Sequence, residues 1–122
     1  IGFVQKIELE FHKMDVMTLP SLFGEGMPMV ILEAMATGVP VVASNVEGIP
    51  EVLEHGQTGL VVPAGDAQQL AKAIAELMDG KYQWASMREK AYQLQVANFS
   101  DRSMAKAVAG VYDAILKKWQ PL

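Results

Sequence analysis

Residues 15–44 read DVMTLPSLFGEGMPMVILEAMATGVPVVAS, and this stretch decides the fold. Residues 15–20, DVMTLP, predict a buried strand that ends at a proline. Residues 39–44 form a run without polar alternation, as expected where both faces of a sheet are covered. The two segments therefore predict two strands of a parallel sheet.

The segment between these strands predicts a loop and a helix. Residues 21–27 are the loop, and Pro28 suits the first position of a helix. Residues 29–37 are almost entirely apolar, and Gly38 followed by Pro40 predicts the helix end. A strand, a helix and a second strand in this order form the connection that parallel strands need.

The chain beyond residue 44 continues the alternation. A turn at residues 45–49 leads to Pro50, which opens a predicted short helix that Gly56 closes, and residues 59–63 form a third apolar strand. The order βαβαβ favours right-handed crossovers. The predicted fold class is α/β: a Rossmann-like parallel sheet of three to four strands with flanking helices and a helical C-terminal tail.

Three helices are predicted in that tail. Asp66 with Gln69 resembles a capping box and starts a helix that ends at Gly80. A second helix covers about residues 82–97, and Ser100 caps a third. The third helix carries an apolar stripe formed by Met104, Val108, Val111, Ile115 and Trp119. Stripes of this kind are core or docking faces, and exposure of this one predicts a homodimer through the C-terminal helix.

Length and composition limit the range of protein classes. The 122 residues are 51% hydrophobic and 20% charged, so we expect one globular domain and not a disordered or fibrous chain. Cysteine is absent, which excludes disulfides and cysteine-ligated metals and favours the cytoplasm. No signal peptide is visible. The chain starts abruptly with a β-like piece at residues 1–4, which predicts a fragment of a longer protein.

Charge is divided unevenly along the chain. Residues 1–71 hold two lysines and nine acids, a net charge of −7, whereas residues 72–122 hold eight basic residues and five acids, a net charge of +3. No lysine or arginine lies between Lys13 and Lys72. The total of −4 argues against nucleic acid as a partner.

Residues 24–34, GEGMPMVILEA, follow the first strand at the carboxyl edge of the sheet, where open α/β sheets bind ligands. Gly24 and Gly26 leave backbone amides open to close approach. The helix that starts near Pro28 directs unpaired N–H groups and its positive dipole end at the same space. This segment therefore predicts an anion-binding site.

Two carboxylates of the segment are candidate ligand-binding groups. We expect the helix around Glu33 to be buried nearly all round, and an ionised carboxylate there costs several kcal/mol unless hydrogen-bond donors meet it. The donors are either the vicinal hydroxyls of a ribose or a backbone or remote side-chain group. Glu25 either caps the helix or accepts hydrogen bonds from a sugar hydroxyl. His12 and His55 are isolated, which favours core or surface roles over metal binding.

These residues resemble the retaining GT-B glycosyltransferases of the group 1 or family 4 type. Glu25 and Glu33, separated by seven residues, match the E-x7-E region of that family, and the similarity continues in residues 34–44, 47–51 and 56–62. The resemblance implies that residues 1–122 are a single, partial C-terminal nucleotide-sugar-binding domain. The first half of this domain and the N-terminal acceptor domain would then be absent.

The resemblance also implies a chemistry, which is retaining hexosyl transfer from a nucleotide sugar to a saccharide, lipid or other acceptor in polysaccharide biosynthesis. Glu25 would be the catalytic residue that contacts the donor sugar, and Glu33 would hold the ribose hydroxyls. Other donor-binding groups would be the backbone amides around Gly26, Met27, Met29 and Val30. The nucleotide sugar is a substrate, so no cofactor and no metal are expected.

The family's basic pair for the diphosphate would precede this chain, so we expect the isolated chain to bind donor weakly and to be inactive. The acceptor, a carbohydrate or a lipid-linked one, would be bound by the missing domain. Lys117 and Lys118 beside Trp119 fit helix-dipole partners or a peripheral membrane contact of the parent protein. The alternative functions are a sugar-nucleotide epimerase of GT-B architecture and a non-catalytic flavodoxin-like binding module.

Overall fold

The structure is a computed structural model that describes residue 2, residues 4–24 and residues 26–119. Three parallel strands form one sheet in the order β1 (Met17–Leu19), β2 (Val41–Ser44) and β3 (Leu60–Val62). Met17 pairs with Val41, and Val42 pairs with Leu60. The predicted parallel sheet is confirmed, but every strand is two or three residues shorter than predicted. The prediction that the first strand is buried is wrong, because β1 is buried only at Met17 and Thr18 is exposed.

Within the described residues, five α-helices and one π-helix accompany the sheet. They are α1 (Ile7–Phe11), α2 (Met29–Thr37), α3 (Ala67–Met78), α4 (Trp84–Leu94), the π-helix Gln95–Phe99 and α5 (Asp101–Lys118). α2 begins at Met29, one residue after the predicted start, and ends as predicted at Gly38, whose φ of 73° is left-handed. Asp66 caps α3 by accepting a hydrogen bond from the Gln69 N–H at 2.9 Å, and Ser100 caps α5 by accepting one from Ser103. Both predicted caps are confirmed.

Apolar side chains cover both faces of the sheet. β2 is central and buried along its whole length. Val41 and Ala43 belong to a cluster that includes Ile31 of α2. Val42 belongs to a second cluster, together with Leu77 of α3. The unbroken apolar run of β2 is therefore the consequence of burial on two sides.

The prediction of a short helix between β2 and β3 is wrong. Residues 45–59 run mostly as turns, among them two α-type turns: the Leu53 N–H donates to the Ile49 carbonyl at 2.9 Å, and the Thr58 N–H donates to the Glu54 carbonyl at 3.0 Å. Ile49, Val52 and Leu53 are 0%, 1% and 2% exposed. These three side chains anchor the turn in the core, and a single turn is too short to propagate as a helix.

Two further segments differ from the sequence prediction. α1 was not predicted, because its only buried residue, Phe11, gives no periodic pattern. The predicted helix over residues 82–97 ends earlier as α4 and continues as the π-helix, where Phe99 packs against the core. Of the β-like residues 1–4, residues 1 and 3 lie outside the described residues, and residues 2 and 4 belong to no strand.

α5 lies on the surface of the described part of the chain. None of its residues is buried, and the predicted apolar stripe from Met104 to Trp119 is between 50% and 69% exposed at its five positions. The stripe is thus a surface and not part of the core. Within residues 2, 4–24 and 26–119, no helix combines the length and the hydrophobicity needed to cross a membrane.

Candidate active site at the carboxyl edge of the sheet

The parallel strands bring three loops to one edge of the sheet. β1, β2 and β3 end at Leu19, Ser44 and Val62, and the loops that follow them leave from the same edge. α2 and α3 begin at this edge. A cavity of about 140 Å³ lies there, lined by Pro20, Ser44, Val62, Pro63, Gly65, Asp66, Ala67 and Leu70. The predicted site segment follows β1 and therefore lies where ligands bind in such sheets.

The amino end of α2 is open. Pro28 is the cap residue, one position earlier than predicted, and no side chain of the described residues caps the helix. The Pro28 carbonyl accepts hydrogen bonds from the Ile31 and Leu32 N–H groups at 3.0 and 3.4 Å. The Met29 and Val30 N–H groups have no helical carbonyl to pair with. The positive end of the helix dipole is therefore free to meet an anion.

Glu33 lies in the second turn of α2 and is partly exposed. Its neighbours Leu32 and Ala34 are 5% and 0% exposed, but Met29, one turn earlier, is 58% exposed. The expectation of a helix buried nearly all round is therefore wrong, because the core covers one face of α2 and leaves a stripe through Met29 and Glu33 open. Within the described part of the chain, the Glu33 carboxylate makes no hydrogen bond and no ion pair.

The turn after β2 contacts the loop after β1. Gly48 is buried with a φ of 90°, and a Cβ there would lie 2.8 Å from the Gly26 carbonyl carbon and closer still to its oxygen. A Cβ at Gly24 would lie 3.1 Å from the Glu47 Cβ. Sequence reasoning missed this contact. The glycines are visible in the sequence, but nothing local indicates that they face one another.

Five of the six predicted site residues come together at the start of α2, namely Gly26, Met27, Met29, Val30 and Glu33. Glu25 lies outside the described residues, so its role stays a prediction. The same loop exposes several apolar side chains: Leu22 at 61%, Phe23 at 82%, Met27 at 46% and Met29 at 58%. The edge therefore offers backbone amides and an apolar surface, both of which suit a ligand that covers the loop.

Positive side chains are missing from the site segment, because the sequence has none between Lys13 and Lys72. A diphosphate bound there would meet amide dipoles alone. The described residues also hold no group of three or more His, Asp or Glu side chains placed to bind a metal ion. His55 has a structural partner, since its Nδ1 accepts a hydrogen bond from the Val61 N–H at 3.0 Å.

The opposite end of α2 contacts a cation that sequence reasoning also missed. The Arg88 guanidinium lies 5.1 Å from the centre of the Trp84 ring and next to Gly38, the residue that ends α2. A positive charge at this end complements the helix dipole. At the amino end of α2, none of the described residues places a negative side chain against the positive end of the dipole. A negatively charged ligand can therefore bind there.

Comparisons with known proteins agree with this geometry. Residues 1–80 match the sequence model of the family described as glycosyl transferases group 1. An exopolysaccharide phosphotransferase of Streptomyces coelicolor is 38% identical over 100% of this chain and 12% of its own length. The lipopolysaccharide core biosynthesis mannosyltransferase LpsB of Rhizobium meliloti is 33% identical over 88% of this chain and 31% of its own length.

The fold has a close counterpart in a crystal structure. HepE of Anabaena in complex with UDP-glucose superposes with a TM-score of 0.86 and 27% sequence identity, over 93% of this chain and 31% of HepE. The chain thus spans less than a third of the length of these relatives. The family match includes β1, α2, β2 and β3, which build the carboxyl edge described above. The chain belongs to the group 1 glycosyltransferases and has a part of their GT-B fold.

Proposed function

We propose that this chain is the donor-binding part of a nucleotide-sugar-dependent glycosyltransferase, and that the whole protein transfers a hexosyl group with retention of configuration. The observation that carries the proposal is the Glu33 carboxylate, which is accessible to solvent and unpartnered among the described residues, beside the uncapped start of α2. Such a carboxylate accepts hydrogen bonds from vicinal hydroxyls, while the helix end attracts phosphate. A nucleotide-diphosphate sugar carries both groups, and HepE was crystallised with one.

The proposed roles follow from position along α2. Glu33 accepts hydrogen bonds from the ribose hydroxyls. The amides around Gly26, Met27, Met29 and Val30 meet the sugar and the diphosphate. Glu25 contacts the hydroxyls of the donor sugar and holds the sugar for reaction. Charge that develops on the departing diphosphate is then stabilised by preorganised amide dipoles and by basic residues from outside this chain.

The alternatives are less well supported. The family match favours transfer over epimerisation, since the relatives reported above carry the names of transferases. A flavodoxin-like receiver module would hold a cation between aspartates at the carboxyl ends of strands. Asp15, the aspartate nearest to β1 in sequence, precedes that strand and so lies toward the opposite edge.

The acceptor would be bound by parts of the protein beyond this chain, which spans 31% of LpsB and of HepE. We propose a carbohydrate or lipid-linked acceptor. For a lipid-linked one, Lys117 and Lys118 beside Trp119 would support a peripheral contact with an anionic membrane. On this proposal the acceptor site and the basic residues for the diphosphate belong to other parts of the protein, so the isolated chain is expected to bind donor weakly and to transfer nothing.

A titration of the ¹⁵N-labelled chain tests donor binding. UDP-glucose, GDP-mannose and UDP are added separately up to millimolar concentrations, and amide resonances are followed by NMR. At least one of these ligands should shift the resonances of residues 24–34 while the resonances of α5 stay in place. If none of them shifts residues 24–34, the proposed site is wrong.

Substituting Glu25→Gln in the full-length protein should slow sugar transfer by roughly 10²-fold, because a reacting sugar that loses its orientation loses rate more than affinity. The KM for the nucleotide sugar should change much less than kcat. Steady-state kinetics at saturating acceptor measure both. A variant with unchanged kcat and a raised KM would assign Glu25 to binding and remove its catalytic role.

The exposed stripe on α5 predicts a homodimer of this chain. Its five apolar positions recur at helical spacing and are at least half exposed, so pairing with a second copy would remove them from water. Light scattering at high protein concentration should give twice the 13.3 kDa mass. Val111→Glu, in the middle of the stripe, should give the monomer, whereas Ala109→Glu on the other side of the helix should not. A monomeric mass for the unaltered chain would contradict the prediction.

A further inference from the structure

The loop that carries the predicted amide donors has little support of its own. Leu22, Phe23, Gly24 and Met27 are exposed, and Gly26 has a φ of 62° with no atom within 4 Å of the position a Cβ would take. A glycine in open space rotates easily about its backbone bonds, so it does not fix the peptide that follows it. Something else must hold the 26–27 peptide in one orientation.

The turn after β2 is, by contrast, firmly held. Ser44 is 3% exposed and Ile49 is 0% exposed, so both ends of the turn are fixed in the core. Inside it, the Val46 N–H donates to the Ser44 carbonyl at 3.0 Å, and the Ile49 N–H donates to the Val46 carbonyl at 3.1 Å. The turn therefore acts as a rigid surface against which the loop rests.

Gly48 is the point of contact between the two segments. A Cβ at this position would lie 2.8 Å from the Gly26 carbonyl carbon, closer to the oxygen, and 3.3 Å from the Gly26 nitrogen. Because the oxygen is nearer than the carbon, the Gly26 carbonyl points toward Gly48. The described peptide bonds are trans, so the Met27 N–H points the opposite way, away from the turn.

We propose that Gly48 is a positioning residue of the donor site: its missing side chain lets the turn hold the Gly26 carbonyl and thereby aims the Met27 N–H at the donor. This inference rests on the proposed function for the identity of the ligand. Any side chain at Gly48 forces the Gly26 carbonyl to move or the peptide to flip, and either change redirects an amide donor.

A second contact supports the same arrangement. Gly24 lies against Glu47, with a Cβ at Gly24 falling 3.1 Å from the Glu47 Cβ and 3.2 Å from its Oε2. The loop thus rests on the turn at two glycines, Gly24 and Gly26, on either side of Glu25.

The test compares Gly48→Ala with Gly80→Ala. Gly80 also has a left-handed φ, 76°, but a Cβ there would meet no atom within 4 Å. Both variants therefore carry the backbone strain, and Gly48→Ala alone carries the clash with Gly26. Thermal midpoints should fall for both. Gly48→Ala alone should shift the amide resonances of Gly26 and Met27 and weaken UDP-glucose binding at least about tenfold, since a charge-assisted hydrogen bond from the Met27 amide to the donor is lost.

Equal amide spectra over residues 24–30 in the two variants, or equal affinities for UDP-glucose, would overturn the proposal. Should Gly48→Ala fail to fold, Gly24→Ala replaces it, because Gly24 has no left-handed φ. Gly24→Ala should shift the amide resonances of the same residues. Adding Glu47→Gly should return these resonances to their original positions, and the proposal would also be overturned if it did not. If the unaltered chain binds no UDP-glucose, the proposed function fails, while the amide shifts still decide the role of Gly48.

Discussion

Glu33→Gln should weaken binding of a nucleoside diphosphate about tenfold or more, while the folded state stays as stable as before. The carboxylate accepts charge-assisted hydrogen bonds, each contributing about 1.5–3 kcal/mol, and the amide that replaces it keeps one neutral acceptor. Stability does not suffer, because the carboxylate has no partner to lose among the described residues.

A comparison of two ligands ties this effect to the ribose. UDP and its 2′,3′-dideoxy analogue are titrated against the unaltered chain and against Glu33→Gln, with affinities measured by NMR. The unaltered chain should prefer UDP, and the variant should bind both ligands equally. This double cycle isolates the contact between Glu33 and the hydroxyls from every other consequence of the substitution.

Glu89→Gln is the matched control for the loss of one charge. Glu89 lines a cavity with Thr37 and Gly38 at the far end of α2, and Thr37 lies about 12 Å along the helix axis from Met29 at its start. It should leave UDP affinity unchanged. If Glu33→Gln prefers UDP over the dideoxy analogue as strongly as the unaltered chain does, Glu33 does not bind the ribose.

The parts of the fold that followed from the sequence are those with local signals. β2 is an unbroken apolar run, and α2 lies between a proline and a glycine that end it sharply. The caps at Asp66 and Ser100 involve groups three residues apart. The helix predicted between β2 and β3 does not form, because a proline followed by apolar residues is also compatible with a buried turn. There the burial of Ile49, Val52 and Leu53 decided the structure.

The sequence predicts where the site lies, but it does not predict the contacts that hold the site in position. The position of Glu33 on α2 follows from helix geometry, and the carboxyl edge follows from parallel strands. The open stripe through Met29 depends on which neighbours cover α2. The contacts of Gly48 with Gly26, and of Arg88 with Gly38, join residues far apart in sequence. These contacts form only when the strands pair in the observed register. The spacing of residues within one segment therefore does not predict them.

Ile31→Ala should produce the opposite result from Glu33→Gln, a large loss of stability with the site chemistry intact. Ile31 lies on the other side of α2, is 0% exposed, and packs in the cluster that joins α2 to β2. Truncation of a buried isoleucine costs about 2–5 kcal/mol, because a cavity remains where the side chain was. A domain of this size has a total stability of about 5–15 kcal/mol, so the midpoint of urea unfolding should fall sharply. Circular dichroism at 222 nm follows the transition.

Val30→Ala provides the control for this second prediction. Val30 is the preceding residue of the same helix but is only partly buried, so its truncation should cost less than about 1 kcal/mol. Its backbone amide, the group placed at the donor, is unaltered by the change. At 10 °C and without urea, Ile31→Ala should bind UDP within about threefold of the unaltered chain, which is about 0.65 kcal/mol, because the Ile31 side chain lies in the core and not at the open start of α2. Equal unfolding midpoints for the two variants would mean that the α2 face described as buried is not the one that packs on the sheet, and Glu33 would then lose its place on the open stripe.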